Sequence, residues 1–272
     1  MSELDPVAYN REAWDRQVEG GNEWTRPVDA ETVARARRGD WSVVLIGYKP
    51  VPRAWFPEDM RGLDLLGLAS GGGQQGPIFA AAGANVTTFD NSPAQLARDT
   101  QVAEREGLSI RTVQGDMRDL SVFGDGSFDL VFHPVSNVFC PEVRPVWREC
   151  HRVLRPGGLL LAGFMNPDFL VLDHDGLDAA GEVVVRYQVP FSDLNQLDPE
   201  GLERRMRENV PLEWGHSLSD QVGGQLDAGF VLTSLDEAWF HDESFPKHFP
   251  AYYATRAVKA SGVDKNKITT SK

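Results

Sequence analysis

The sequence predicts an α/β fold, a doubly wound and mostly parallel sheet with helices on both faces. Three observations predict it. The stretch LDLLGLASGGGQQGPIFAAAGANVTTFDNS, from Leu63 to Ser92, reads as an apolar strand, a glycine-rich turn, a short helix closed by Gly83 and a second strand ending in Asp90. The alternation then continues: a helix after Ser92, a strand at Ile110–Val113, a strand at Phe128–Phe132, a helix at Pro141–Leu154 and a strand at Leu159–Met165. That last strand is almost wholly apolar, as a strand covered on both faces must be.

Taken in order, residues 6–18 allow a helix with Val7, Tyr9 or Asn10, Trp14 and Val18 along one side. Arg26–Asp40 suggests a second helix stopped by Gly39, and the run from Trp41 then passes through prolines 50, 52 and 57, which force an extended path. Residues 1–60 therefore form an arm, aromatic-rich, that packs on the core or covers a ligand. After the glycine-rich turn, Ser92, Pro93 and Gln95 form a capping box for a helix with Leu96, Thr100 and Ala103 inward, ended by Gly107. The helix at 141–154 faces inward with Val143, Val146 or Trp147, Cys150 and Leu154. Residues 167–216 break the rhythm with an acidic loop, a β-rich run at Glu182–Val189 and an amphipathic helix at Pro199–Asn209, read as an insertion in a domain spanning 61–260. A helix from Ser217 with Leu218, Val222 and Leu226 inward, a strand at Phe230–Leu235, a last strand at Ala251–Lys259 and a polar tail, 261–272, complete the chain.

The turn after the first strand has a chemical meaning. Free N–H groups and the positive end of a helix dipole gather there, and glycine lets a ligand press against the backbone. An acid at the tip of the next strand, Asp90, stands where a carboxylate accepts both hydroxyls of a ribose. A nucleoside-bearing cofactor follows. Gly71, Gly73 and Gly76 also satisfy G-x-G-x-x-G, which keeps a nicotinamide enzyme open.

The 272 residues suit one large domain with an insertion. A formal charge of −13 repels a phosphate backbone and argues against nucleic acid. Cys140 and Cys150 lack metal-site spacing and read as reduced thiols. No secretory signal opens the chain and no run approaches the roughly 20 apolar residues that span a bilayer, so a cytoplasmic protein without a membrane partner is expected.

With these pieces the sequence resembles the class I S-adenosylmethionine-dependent methyltransferases, in particular the branch of quinone-biosynthesis-like and other small-molecule enzymes. Four features carry the likeness over residues 60–260: the glycine-rich turn, Asp90, GDMRDL after the third strand, and FDLVF followed by a helix and LRPGG. The resemblance implies a seven-stranded sheet in the order 3-2-1-4-5-7-6 with the last strand antiparallel. It also implies that Asp90 takes the ribose with Asn91 and Ser92 at its rim, and that Asp116 and the Met117 backbone meet the adenine. The family's acid and first glycine are replaced here by Gly67 and Ala69, so Ser70, Gln74 and Gln75 become candidate hydrogen-bonding substitutes beside Gly71 and Gly73.

Methyl transfer from a sulfonium is an in-line displacement in which positioning supplies much of the rate, and a base is needed only when the acceptor loses a proton. The family's place for such groups is the loop after strand four, so His133 is the candidate base or, alternatively, a cofactor contact through its backbone with its ring bonded structurally, and Val135 is expected beside it on the cofactor. Tyr9, Trp14, Asn137, Tyr187 and His216 are candidate acceptor-pocket residues. No metal is expected: the histidines form no His-Glu-x-x-His. The expected activity is methyl transfer to an O, N or C atom of a small molecule by a monomer or homodimer. The alternatives are a cofactor-binding module without turnover and an NAD(P)-dependent oxidoreductase, the latter weakened because no tyrosine has a lysine four residues later.

Overall fold

The computed structural model describes residues 4–173, 183–240 and 248–261. Helices α1 (Pro6–Glu19) and α2 (Ala30–Arg37) precede a small hairpin of β1 (Val44–Ile46) and β2 (Lys49–Pro50). The central strands are β3 (Asp64–Leu68), β4 (Asn85–Asp90), β5 (Ile110–Gln114), β6 (Phe128–His133) and β7 (Leu154–Met165), with helices α3 (Gln75–Ala81), α4 (Pro93–Glu106) and α5 (Val143–Val153) between them. A short pair follows, β8 (Phe191–Ser192) with β9 (Trp214–Gly215), and then β10 (Phe230–Ala238) and β11 (Tyr252–Lys259).

The seven-stranded sheet runs β10-β11-β7-β6-β3-β4-β5, and only β11 is antiparallel to its neighbours. In sequence order of the core strands this is 3-2-1-4-5-7-6, as the resemblance implied. Alternation along the strands divides the core into two layers. Leu65, Leu130, Phe132 and Leu161 point to the face carrying Phe56, Ile78 and Phe79, whereas Leu66, Val131, Leu160 and Ala162 meet Val146, Trp147 and Cys150 of α5. Each buried valine, leucine, isoleucine or phenylalanine among them contributes about 1.5–3 kcal/mol, so both faces hold the sheet.

Several local expectations change. Helix α2 begins only at Ala30, because Asp29 caps it by accepting from Thr32 N–H. Strand β7 starts at Leu154, five residues early. Only half of the capping box forms: Ser92 Oγ accepts from Gln95 N–H at 3.1 Å, but the Ser92 N–H is taken by Asp90 rather than by Gln95. On α4 the inward position is Asp99, and Thr100 is exposed. The described part of the Glu182–Val189 run makes one isolated bridge, Leu172 to Val185, and no strand. The helix Pro199–Arg207 forms.

The inward face expected after Ser217 is corrected. Leu218, just before a π-turn at residues 219–223, is exposed, and Leu226 beyond it is exposed because the turn rotates Gln221, Gly224 and Gln225 inward instead. A Cβ on Gly224 would stand 2.7 Å from Trp147 Cδ1, so glycine is what lets this segment close on α5. The expected acidic loop past Asp173, the start of the β-rich run and the tail from 262 lie outside the described residues.

Candidate active site

A cavity of about 510 Å³ lies at the carboxyl ends of the parallel strands. There β3 is flanked by β4 on one side and β6 on the other, so the chain leaves the sheet in opposite directions and opens a crevice. One half of the wall follows β3, β4 and β5: Ala69, Ser70, Gly71, Gln74, Gln75, Asp90, Asn91, Gly115, Asp116 and Met117. The other half is largely apolar and draws on Leu45, Val138, Phe139, Met165, Phe169, Leu170, Phe240 and Tyr252. Val7, Asn10, Trp14 and Trp24 of the arm add to the lining.

The glycine-rich turn is organised from within. Gly71 N–H donates to Asp90 Oδ2 at 3.0 Å, Gly72 N–H to the Gln95 carbonyl at 3.0 Å and Gly73 N–H to Asp99 Oδ2 at 3.3 Å. A pyrophosphate needs those N–H groups free and would meet the Asp90 carboxyl beside them, so the dinucleotide alternative loses its physical basis. Gly73, whose backbone turns left-handed at φ 72°, sits behind the wall rather than on it. Ala69 also takes a left-handed φ, 48°, where the family's glycine would stand.

At Gly67 the missing acid has an explanation: a Cβ there would lie 2.5 Å from Ser70 Oγ. The serine folds into the space that the acid's side chain would leave from. Ser70 Oγ and Gln95 Oε1 are buried and bonded to nothing among the described residues, although both residues line the cavity. Unsatisfied buried polar atoms facing a cavity mark where a polar ligand end is received. Gln74 is spent differently, donating to the Glu23 and Arg26 carbonyls at 3.0 and 3.1 Å and so tying down the arm.

Burial pushes the Asp90 carboxyl up to about 6 against the opposing N–H bonds from Ser92 and Gly71. Asp99, fully buried on α4, is pushed up to about 8, again chiefly by burial. Asp116 is held by Arg118 at 2.6 Å. Asn91 Nδ2 donates to the Val7 carbonyl at 2.9 Å, and Ser92 Oγ, which lies off the wall, donates to Asp15 at 2.6 Å, so the rim of the expected ribose site is also where α1 docks.

His133 is placed elsewhere than expected. Its ring is fully buried, off the cavity wall, with Nδ1 donating to the Leu68 carbonyl at 2.9 Å and its edge against Trp147 at 5.8 Å. Burial lowers its pKa to about 4. The ring stitches β6 to the end of β3 and is out of reach of an acceptor, while Val135 two residues on does line the cavity. Among the five expected acceptor-pocket residues only Trp14 faces it. Tyr9 Oη donates to the Val210 carbonyl at 3.1 Å, Asn137 pairs its amide with Gln221, His216 Nε2 donates to the Asn137 and Cys140 carbonyls, and Tyr187 packs on Phe191. The wall residues that sequence reasoning missed include Gln95, Arg205, Glu213 and Tyr252.

A family model described as a methyltransferase domain matches residues 66–162, which span β3 to β7. The Bacillus subtilis (strain 168) protein named uncharacterized methyltransferase YbaJ is 47% identical over 255 residues, 93% of this chain and 98% of that one. The chain belongs to the methyltransferase family. With its sheet order it is a class I S-adenosylmethionine-dependent methyltransferase. This methyltransferase is also 39% identical over 197 residues to the sterol 24-C-methyltransferase erg6 of Aspergillus fumigatus, covering 70% of this chain but only 45% of that relative. A crystal structure of an S-adenosylmethionine-dependent methyltransferase from Mesorhizobium loti superposes with a TM-score of 0.57 at 18% identity, over 76% of this methyltransferase and 94% of that chain, a likeness of fold alone. Among the described residues no helix is long and apolar enough to cross a membrane.

Proposed function

We propose that this methyltransferase transfers the methyl group of S-adenosylmethionine to an O, N or C atom of a small molecule held in the apolar half of the cavity. The observation that carries the reading is the division of one cavity into two chemically unlike halves that meet at the glycine-rich turn. In this reading Asp90 accepts the ribose hydroxyls, Asp116 and the Met117 backbone receive the adenine, and Ser70 and Gln95 bond the amino-acid end. Bound there, the cofactor supplies a methyl group on a cationic sulfur that is a good leaving group.

The chain's own work is positioning. On the half of the wall beyond β3, β4 and β5 the charged groups are Asp90 and Asp116, and Asp90 has no basic partner among the described residues, so that half favours a cationic cofactor. Leu45, Val138 and Phe139 keep water from the space between the halves, and fixing an acceptor in line there supplies the rate. The relative named for a sterol supports an apolar acceptor. The test is calorimetry with S-adenosylmethionine and S-adenosylhomocysteine. Micromolar binding that Asp90→Ala weakens at least tenfold is expected; no heat at millimolar cofactor would end the proposal.

A further inference from the structure

We propose that the acceptor is an apolar molecule carrying an uncharged hydroxyl, and that Glu213 receives the hydrogen bond of that hydroxyl. The inference rests on the function proposed above and adds the acceptor's chemistry to it. Glu213 lines the cavity, and its only side-chain bond among the described residues is a contact from Arg205 Nη2 at 3.5 Å. That bond is at the limit of hydrogen-bonding distance and leaves acceptor capacity on the carboxylate.

The position of Glu213 is built rather than incidental. Its N–H donates to Asp193 Oδ2 at 2.7 Å, and its carbonyl accepts from Asp193 N–H at 3.1 Å. The preceding residue, Leu212, is bonded on both backbone groups to the Asn10 amide of α1, at 2.7 and 2.9 Å. Arg205, the only Lys or Arg on the wall among the described residues, is drawn aside by Asp193 Oδ2 at 3.1 Å and the Pro211 carbonyl at 2.8 Å. The same cavity carries an aromatic wall, Phe169 against Phe240 at 5.3 Å and Phe240 against Tyr252 at 6.4 Å.

These surroundings select by charge. A carboxylate on the acceptor would face Glu213 in a poorly screened space, and Asp90 and Asp116 carry the same sign across the cavity. An ammonium would have to shed its hydration within reach of Arg205, a desolvation cost that a hydroxyl does not carry. A hydroxyl brings no charge to desolvate and gives Glu213 the donor it lacks, and a site built around such a bond rejects analogues without it.

The experiment uses the full chain saturated with S-adenosylhomocysteine, with that binding measured first, and titrates 2-naphthol, 2-naphthoate and 2-naphthylmethylamine by fluorescence. Naphthol is expected to bind at least tenfold tighter than either charged probe. Glu213→Leu should lose at least tenfold in naphthol affinity and Glu213→Gln should recover part of it, with S-adenosylhomocysteine affinity in both variants within twofold of the parent. Absence of naphthol binding, a charged probe that binds as tightly, or unchanged naphthol affinity in Glu213→Leu overturns the acceptor inference while leaving the cofactor reading intact. Failure of the parent chain to bind S-adenosylhomocysteine overturns both.

Discussion

Ala69 occupies a backbone region that costs an L-residue about 1–2 kcal/mol, immediately after β3 and on the cavity wall. Ala69→Gly relieves that strain at the expense of greater freedom in the unfolded chain, so a net gain of up to about 1 kcal/mol is expected, read as a melting temperature higher by about 2–4 °C. Asp90 gives a pH signature. Its carboxyl, raised by burial to about 6, must be ionised to accept two ribose hydroxyls. Cofactor affinity should therefore fall as pH drops through 6, whereas an Asp90→Asn variant, weaker throughout, should bind equally at pH 5.5 and 7.5. Calorimetry at the two pH values decides this. Both residues could be found in the sequence from the pattern of turn and strand tip. His133 shows why type and place are not enough: a histidine after the fourth strand is a fair candidate base until its ring is seen bonded to the Leu68 carbonyl, 65 positions away, a pairing that one sequence does not display.

At the level of elements, α4 carries a carboxylic acid in its buried face. Asp99 has an ordinary value of 3.8 and is raised to about 8 by burial, so the folded chain binds a proton that the unfolded chain releases across that interval. An acid raised in this way loses stability as pH climbs from about 4 to about 8. Asp99→Asn keeps an acceptor for Gly73 N–H and stays uncharged at every pH, so its melting temperature should exceed that of the parent at pH 8.5, with the difference shrinking steadily as pH falls toward 4. The segment after Ser217 offers a second test. Gly224→Ala forces a methyl group into Trp147, a clash against a rigid ring, and a loss of about 1–3 kcal/mol in denaturant unfolding is expected. The misread face of this helix has the same origin: apolar spacing assumes a regular turn, and the π-turn at 219–223 shifts every following side chain. The insertion was legible as a departure from rhythm and in its helix at Pro199–Arg207, but not in its tertiary contacts. Arg205, Glu213 and the clamp on Leu212 are held by Asp193 and Asn10, contacts without any local periodicity.

For the molecule as a whole, the sheet was readable because parallel strands buried on both faces are near-continuous apolar runs separated by glycine turns and capped helices. The donor half of the cavity was readable for the same reason, since its residues lie directly beyond strand ends. Of the other half only Trp14 was readable, because it assembles side chains from the arm, the insertion and β11 that meet only in three dimensions. The internal bonding of Gly71, Gly72 and Gly73 carries one more consequence. A crook already clasped by its neighbours arrives at its guest in finished form, so little ordering entropy is surrendered on association. Deuterium uptake at residues 71–73 should accordingly be slow in the ligand-free chain and change less than threefold when S-adenosylhomocysteine is added, with the larger slowing at residues 7–24, the arm segment that adds Val7, Asn10, Trp14 and Trp24 to the lining.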